Sequence, residues 1–211
     1  MKTLLAIVAL AACQFATAQK TQDLKGLKRI TVGSDMTLKL VKGSEDKVVY
    51  EGEEINVDFK DGSLQIDGDG SATVYYRSEL ESITAGSDAH VAGNDEITGK
   101  SFTLTAGSDS QVSLNLNVKE LQVTAGSDSE VALKGKAGRV SATIGSDGEF
   151  HSENLSSGDF NMNLGSDAQG VIKAKGIVNA VVASDAQLTI HGSPKKVNET
   201  KSTDAEITVV Q

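Results

Sequence analysis

The tripeptide Gly-Ser-Asp recurs along the chain at a nearly constant spacing, and this repeat restricts the possible folds more than any other feature. It occurs at 33–35, 86–88, 107–109, 126–128, 145–147 and 165–167, with weaker forms at 183–185 and 202–204. From Asp88 to Asp204, successive aspartates are 21, 19, 19, 20, 18 and 19 residues apart. A unit repeated at such a period is typical of solenoids, in which each unit stacks on the next.

Apolar residues alternate with polar residues on both sides of each tripeptide. Around Asp128, for example, the apolar residues three and five positions away are Val123, Ala125, Val131 and Leu133. This alternation predicts strands with one buried face, joined at a corner. At about 3.3 Å per residue, a period of 19 residues encloses a flattened loop with a perimeter of about 60 Å. We therefore predict an all-β, single-domain, parallel β-solenoid of about nine to ten coils. We expect it to be right-handed, as parallel crossovers usually are.

The N-terminal third of the chain follows the repeat less closely. A step of 19 residues back from Asp88 reaches Asp69, in the sequence Gly68-Asp69-Gly70. The 34 residues between Asp35 and Asp69 leave room for two shorter or irregular coils. Regular coils are predicted from about residue 64 onward, within one domain that covers residues 19–211.

The first 18 residues are typical of a signal peptide. An apolar run at 4–12 follows Lys2, and Ala16-Thr17-Ala18 has the small-x-small pattern of a signal-peptidase site. We predict cleavage after Ala18 and export to the periplasm, the cell surface or the medium. The alternative is a lipoprotein, because residues 10–13 (Leu-Ala-Ala-Cys) match a lipobox that would anchor the chain through Cys13. No segment approaches the roughly 20 apolar residues of a transmembrane helix.

The composition excludes several classes of function. The formal net charge is −9 and no basic cluster is present, so nucleic acid is not an expected partner. Cys13 is the only cysteine, and it leaves with a leader cleaved after Ala18, so the mature chain has neither a disulfide nor a cysteine nucleophile. With 21 glycines, few aromatic residues and no tryptophan, the chain suits a narrow interior of small aliphatic side chains.

The repeated aspartates have a structural and a chemical interpretation. In the structural one, glycine supplies unusual backbone angles at a tight corner, and the Ser and Asp side chains bond neighbouring backbone N–H groups. In the chemical one, stacked carboxylates bind calcium, which requires six to eight oxygen ligands. Because each coil supplies one carboxylate, we expect weak binding at most. The candidate calcium ligands are Asp88, Asp109, Asp128, Asp147 and Asp167.

The sequence contains no recognisable catalytic constellation. His90, His151 and His191 lie two, four and six residues after their aspartates, so a regular stack would place them in different columns. No nucleophile, base and orienting group can be named, and the chain is predicted not to be an enzyme. A polysaccharide-active β-helix enzyme remains the less favoured alternative.

Two other groups of side chains, the threonines before each corner and the tyrosines of the N-terminal third, are candidate surface features. A column of threonines, four residues before each Asp, is attributed to the β-propensity of outward-facing positions and comprises Thr84, Thr105, Thr124 and Thr143. Tyr50, Tyr75 and Tyr76 serve either recognition or capping of the first coils, and both readings stay open.

Several segments resemble a known family. The sequences Leu-Lys-Arg-Ile-Thr-Val-Gly-Ser-Asp at 27–35 and Asp-Gly-Ser-Leu-Gln-Ile at 61–66, together with the Gly-Ser-Asp coils, resemble the head GIN domain of proposed auto-transporter adhesins over about 24–211. The resemblance implies an exported β-helix-like solenoid of Bacteroidetes-type bacteria, and it brings no catalytic residues.

These observations favour an exported, non-catalytic scaffold of the cell envelope or surface, which binds a surface glycan or an envelope or matrix protein. A calcium-stabilised structural repeat is the alternative. An end-to-end homodimer is a further expectation, because terminal coils of solenoids expose sheet edges. Charged residues near the last coil, such as Lys195 and Lys201, oppose such pairing, and Ile207, Val209 and Val210 favour it.

Overall fold

The computed structural model describes residues 19–52 and 54–210, and their regular secondary structure is entirely β. The predicted signal peptide and Cys13 lie outside the described residues. The first nine strands are β1 (Lys20–Asp23), β2 (Arg29–Val32), β3 (Met36–Lys42), β4 (Lys47–Glu51), β5 (Asn56–Lys60), β6 (Ser63–Asp67), β7 (Gly70–Tyr76), β8 (Ser82–Ala85) and β9 (His90–Ala106). The remaining strands are β10 (Gln111–Ala125), β11 (Glu130–Ile144), β12 (Glu149–Leu164), β13 (Gln169–Ala174), β14 (Ile177–Val182), β15 (Gln187–His191), β16 (Lys196–Lys201) and β17 (Glu206–Val210).

From β8 onward the strands stack in parallel register. Strands β9 to β12 each run along one side of the coil, around a second bend and back along the other side, so that Val112 pairs with Val131 and Thr124 with Thr143. Beyond β12 the two sides continue as separate ladders, β13–β15–β17 and β14–β16. The predicted β-solenoid with a repeat of about 19 residues is confirmed, with about seven regular turns. The less regular coils β2–β3 and β6–β7 stack on them at the N-terminal end.

The N-terminal third lacks the two irregular coils that the sequence predicts between Asp35 and Asp69. Strand β4 pairs antiparallel with β7, β1 pairs antiparallel with β4, and β5 forms an antiparallel hairpin with β6. The hairpin turns at Asp61 and Gly62, whose φ angles of 50° and 75° are those of the tight turns that Asp-Gly favours. The stacked strands on the two sides of the solenoid form two sheets. The segment between Asp35 and Asp69 therefore extends these sheets at one end and adds no further coils.

The coil of β2 and β3 occupies an unexpected place in the stack. Ile30 of β2 pairs with Leu64 of β6 on one side and with Ile83 of β8 on the other. The first coil of the sequence therefore lies between the second and third. As a result, the corner at 33–35 stacks directly on the corner at 86–88, where the Asp35 N–H donates to the Ser87 carbonyl at 3.1 Å.

The interior is a single apolar column between the two sheets. Rows of Val, Leu, Ile and Ala fill most of it, and the rings of Phe150 and Phe160 meet edge to face with their centroids 6.2 Å apart. Large and small residues compensate each other between neighbouring coils. Gly170 lies in register with Phe150, and a Cβ at this glycine would come within 3.1 Å of Met162 Cε and Leu188 Cδ1.

A buried carboxylate joins the antiparallel strands to the stack. Asp46, 7% exposed, accepts hydrogen bonds from the Arg77 and Ser78 N–H groups at 2.6 and 3.0 Å and from Ser78 Oγ at 2.6 Å. Burial alone would raise the pKa of Asp46, but these hydrogen bonds outweigh it and hold the pKa below its ordinary value. The position of Asp46 in this network makes it a structural residue.

The three tyrosines also lie at this end of the molecule. Tyr76 is buried, its hydroxyl donates to the Asp95 carbonyl at 3.4 Å, and burial together with the Asp95 charge raises the pKa of Tyr76 to about 12. Tyr50 and Tyr75 are half-buried, and the ammonium groups of Lys20 and Lys47 lie over their rings. The contacts of Tyr76 in the core support the capping interpretation for this residue.

Candidate functional site

Each Gly-Ser-Asp corner is a four-residue turn in which the aspartate has the left-handed backbone conformation. The five candidate calcium ligands have φ between 56° and 59°, and the glycines of the same corners are absent from the positive-φ positions of the described chain. The sequence interpretation, in which glycine supplies the unusual angles, is therefore wrong. Aspartate and asparagine are among the few residues other than glycine that adopt this conformation, because their short polar side chains can interact with the local backbone.

Glycine suits the five corners from 86–88 to 165–167 for a different reason, which is the close stacking of one corner on the next; Ala183 and Ser202 take this position in the last two coils. A Cβ at Gly107 would lie 2.7 Å from Gly86 C and Ser87 N, and the equivalent atoms lie equally close at Gly145. The backbones approach because they are hydrogen bonded across the corner. The Asp128 N–H, for instance, donates to the Ser146 carbonyl at 3.1 Å.

The side chains of the corner point to solvent. Within the described residues, no side-chain hydrogen bond involves the aspartate or serine of a Gly-Ser-Asp corner. The hydroxyl groups that do close the turn belong to the next residue. Ser110 Oγ donates to the Gly107 carbonyl at 2.7 Å, and Ser129 Oγ donates to the Gly126 carbonyl at 2.6 Å. The expected Asp and Ser side-chain bonds to the backbone are therefore not formed, and a buried serine supplies such a bond at these two corners only. At the other corners from 86–88 to 165–167 an alanine or glycine takes this position, and its N–H donates to the corner glycine's carbonyl, as Ala168 does to Gly165 at 3.4 Å.

The corner aspartates form a ladder along one edge of the solenoid, with one carboxylate per coil at the strand spacing of about 4.8 Å. In the parts of the chain that the structure describes, no group of three or more His, Cys, Asp or Glu side chains is arranged to hold a metal ion. The sequence predicts no cofactor, and weak calcium binding by Asp88, Asp109, Asp128, Asp147 and Asp167 stays the less favoured alternative.

Substitutions at Asp147 separate the backbone role of the aspartate from its charge. We expect Asp147→Val to lower the free energy of unfolding by about 2 kcal/mol, because a β-branched residue is strained at φ 57°. Asp147→Asn keeps the tolerance for this conformation and removes only the charge, so its stability should stay within about 0.5 kcal/mol of wild type. Urea unfolding followed by circular dichroism measures both. Equal destabilisation by the two substitutions would show that the carboxylate itself matters.

The three histidines lie apart, as their spacing predicts. His90 pairs in register with Gln111, His151 with Ala132 and Val171, and His191 with Lys173, which are three different rows of the same face. Among the described residues, the one acidic side chain within 4 Å of a histidine nitrogen is Glu149, whose Oε2 lies 3.2 Å from His151 Nε2. This pair is exposed and has no nucleophile beside it.

The side of the solenoid that precedes the corner carries an unusual surface, which we call the uncharged face. It consists of the outward residues six and four positions before the seven corner aspartates from Asp88 to Asp204, in two columns. The displaced coil of β2 places Arg29 beside Ser82, so a charged residue marks the end of the first column. The register aligns Thr84, Thr105, Thr124 and Thr143 as the sequence predicts, and the insertion of β2 adds Thr31 to the same column. The residues of the uncharged face are Ser82, Thr84, Thr103, Thr105, Gln122, Thr124, Ser141, Thr143, Asn161, Asn163, Asn179, Val181, Asn198 and Thr200.

None of these 14 residues is ionisable, although 23% of the chain is charged. The charges lie at the borders of the face and on the opposite side. Arg139 pairs with Glu120 at 2.9 Å along one border, and the corner aspartates follow the other. The opposite side carries Glu130 and Glu149. The uncharged face is thus a polar strip without local charge on an acidic protein.

Part of the uncharged face is ordered by its own side chains. Asn198 Nδ2 donates to Asn179 Oδ1, and Asn179 Nδ2 donates to Asn161 Oδ1, each at 2.8 Å. This amide ladder fixes three side chains in one orientation beside a shallow groove lined by the second column. Val181, 51% exposed, adds one apolar contact within the groove. The sequence analysis identified only the threonine column, although the asparagines also share one position, six residues before a corner aspartate.

No helix among the described residues is long and apolar enough to cross a membrane. No curated protein matches the sequence. Solved structures with the same fold include a "putative adhesin" from Bacteroides fragilis NCTC 9343, 17% identical, with a TM-score of 0.83, and one from Parabacteroides distasonis ATCC 8503, 16% identical, with a TM-score of 0.66. A third, from the latter organism, is named a "putative lipid binding protein" and is 13% identical, with a TM-score of 0.64. Each alignment covers 92% of this chain and 96% of the other.

These structural similarities concern the fold, because all three identities are low. The sequence itself matches a family over residues 26–194, a range that begins just before β2 and ends after β15. It includes the displaced first coil and the Gly-Ser-Asp corners from 33–35 to 183–185. The chain belongs to the family described as "Putative auto-transporter adhesin, head GIN domain".

Proposed function

We propose that the protein is an exported, non-catalytic, adhesin-like protein of the cell envelope or surface, and that its uncharged face binds a neutral polysaccharide. The observation that carries this proposal is the unbroken run of 14 non-ionisable residues over seven coils. Family membership supports an adhesin-like role, and the signal-peptide pattern at 1–18 supports export.

The chemistry of the face fits a neutral sugar polymer. Hydroxyl and amide groups donate and accept hydrogen bonds, as sugar hydroxyls do, and no ionised group on the face has to be desolvated when a chain settles on it. Threonine side chains and the Asn161–Asn179–Asn198 ladder have little rotamer freedom left to lose. Binding therefore costs little side-chain entropy.

The repeated geometry also suits a polymer more than a compact ligand. Coils stack about 4.8 Å apart, so a linear chain meets similar groups at each step. Each contact contributes little, but contacts along one polymer act together, since every bound unit raises the effective concentration of the next. We infer low affinity for short oligosaccharides and much higher affinity for long ones.

A charge placed in the middle of the uncharged face tests this proposal. We expect Thr124→Glu to weaken binding to neutral glycans by about tenfold, because the carboxylate would lose water without gaining a partner. Ser113→Glu is the matched control, since Ser113 is an exposed residue of the same strand on the opposite side. A glycan and matrix-protein array, followed by titration of the best ligands, measures the effect.

Equal weakening by both substitutions would contradict a role for this face. Binding to matrix proteins alone, with no neutral glycan retained, would replace the proposed ligand class. Turnover of any glycan on the array would overturn the non-catalytic assignment.

A further inference from the structure

The two ends of the solenoid are built differently. At the N-terminal end, the antiparallel strands β1, β4 and β5 add to the two sheets. At the other end, β16 and β17 each have a pairing partner on one side only within the described chain, which leaves a row of N–H and C=O groups on each outer edge. The described large apolar side chains that are exposed also concentrate towards this end, and they are Ile177, Val181, Val209 and Val210.

The inward positions of the last coil carry an ordered set of residues. On β16, Glu199 and Lys201 lie in register with Ala180 and Val182, which are core residues of the coil below. On β17, Ile207 and Val209 lie in register with Leu188 and Ile190. The open end therefore presents two opposite charges on one strand and two aliphatic side chains on the other.

We propose that this end pairs with the same end of a second copy about a two-fold axis that passes through Thr200 and Thr208. Antiparallel pairing of β16 with its copy then sets Glu199 opposite the partner's Lys201, and the symmetry repeats the pair. The same axis pairs β17 with its copy and sets Ile207 opposite the partner's Val209. One axis serves both strands because Thr200 and Thr208 are each four residues from the corner Asp204.

The signs of the charges on Glu199 and Lys201 distinguish an edge that pairs with a second copy from an edge that is protected against association. Inward-pointing charges on an edge strand also prevent association, and for that purpose charges of either sign are equally effective. Self-pairing has a stricter requirement, since residues on either side of the axis must carry opposite charges. Glu199 and Lys201 meet this requirement, and opposite charges directly across an antiparallel pair stabilise it.

The pairing has a geometric consequence for the molecule. A two-fold axis perpendicular to the two sheets places each sheet of one copy on the same side of the rod as the equivalent sheet of the other copy. The uncharged faces of both copies then lie on the same side of one longer rod. The dimer does not depend on the glycan proposal, because its contacts are confined to the last coil.

Charge reversal tests the proposed register in the mature protein. We expect a dimer by size-exclusion chromatography with light scattering, and Lys201→Glu should weaken it at least tenfold by placing two pairs of carboxylates face to face. The double substitution E199K/K201E restores opposite charges and should restore the dimer. Lys134→Glu, an exposed change in the middle of the rod, is the control. Circular dichroism confirms that each variant is folded.

Cysteine cross-linking tests the axis independently. The mature chain cleaved after Ala18 contains no cysteine, so Thr200→Cys introduces a single thiol that lies beside its own copy in the dimer. We expect a disulfide-linked dimer under mild oxidation. Thr143→Cys lies in the same outward column in the middle of the stack and should stay monomeric. A wild-type monomer at the highest soluble concentration, failure of the double charge swap to restore pairing, or equal cross-linking at both positions would overturn the proposal.

Discussion

Replacement of Phe160 by alanine is expected to lower the free energy of unfolding by about 4 kcal/mol. Phe160 is completely buried and packs edge to face against Phe150, with an angle of 73° between the rings. In register, its neighbours above and below are Val140 and Val178. Hydrogen bonds within each sheet tie the Phe160 coil to the coils on either side, so the sheets cannot close on the space at one coil without moving its neighbours. The cavity therefore remains largely open.

Urea unfolding followed by circular dichroism measures this loss, with Asn163→Ala as the control. Asn163 is an exposed residue of the same strand, so its replacement should change stability by less than about 0.5 kcal/mol. A loss of under about 1 kcal/mol for Phe160→Ala would show that the interior collapses around small side chains, contrary to a fixed coil spacing.

The second large effect is expected at a corner, where Gly145→Val should cost about 3 kcal/mol. Its Cβ would lie 2.7 Å from two backbone atoms, Gly126 C and Ser127 N. The coil of Gly145 is hydrogen bonded to coils on both sides, through the Gly145 and Gly165 N–H groups, so neither neighbour can withdraw freely. The expected result is loss of packing on both sides of the corner.

Gly99→Val is the matched control for this prediction, because the nearest atom to a Cβ at Gly99 lies at 3.6 Å and the backbone is not left-handed. Ala183 provides a second comparison. It takes the glycine position in the corner before the open end, where its N–H donates to the Leu164 carbonyl at 3.0 Å. Ala183→Val should cost less than Gly145→Val, since the last coils can shift outwards. Equal losses at all three positions would contradict the role assigned to corner stacking.

These two effects connect the core and the corners to the proposed binding surface. The corners set the register between coils, and the register brings Thr124 above Thr105 and Asn179 above Asn161. A change that disturbs one corner therefore also disturbs the uncharged face. Variants in the core or at corners should be tested for stability before they are tested for binding.

The regular part of the fold follows directly from the sequence. The positions of Val123, Ala125, Val131 and Leu133 correctly predict which side chains are buried, since the alternation of a strand has the same meaning wherever the strand pairs. The spacing of the histidines correctly predicts their separation. The corner was located correctly but explained wrongly, because the close approach of Gly107 to Gly86 is a contact between coils and is invisible in one repeat.

The candidate site was predictable only in part. Thr84, Thr105, Thr124 and Thr143 share a sequence position and were recognised as a column. Asn161, Asn179 and Asn198 also share one position, six residues before a corner aspartate, so the same spacing could have revealed their column; the hydrogen bonds between their amides appear only in the structure. Likewise, the absence of charge on this face emerges when the residues of seven coils are aligned on one side.

By itself, the sequence determines the period, the corners and the two faces of every strand, since each of these depends on residues close together in the chain. The tertiary structure alone decides the order of the coils, the antiparallel strands between Asp35 and Asp69, and the number of about seven turns. The physical reason is that every coil offers a similar edge of N–H and C=O groups. Local patterns cannot specify which edge joins which, and that choice depends on how all the side chains pack together.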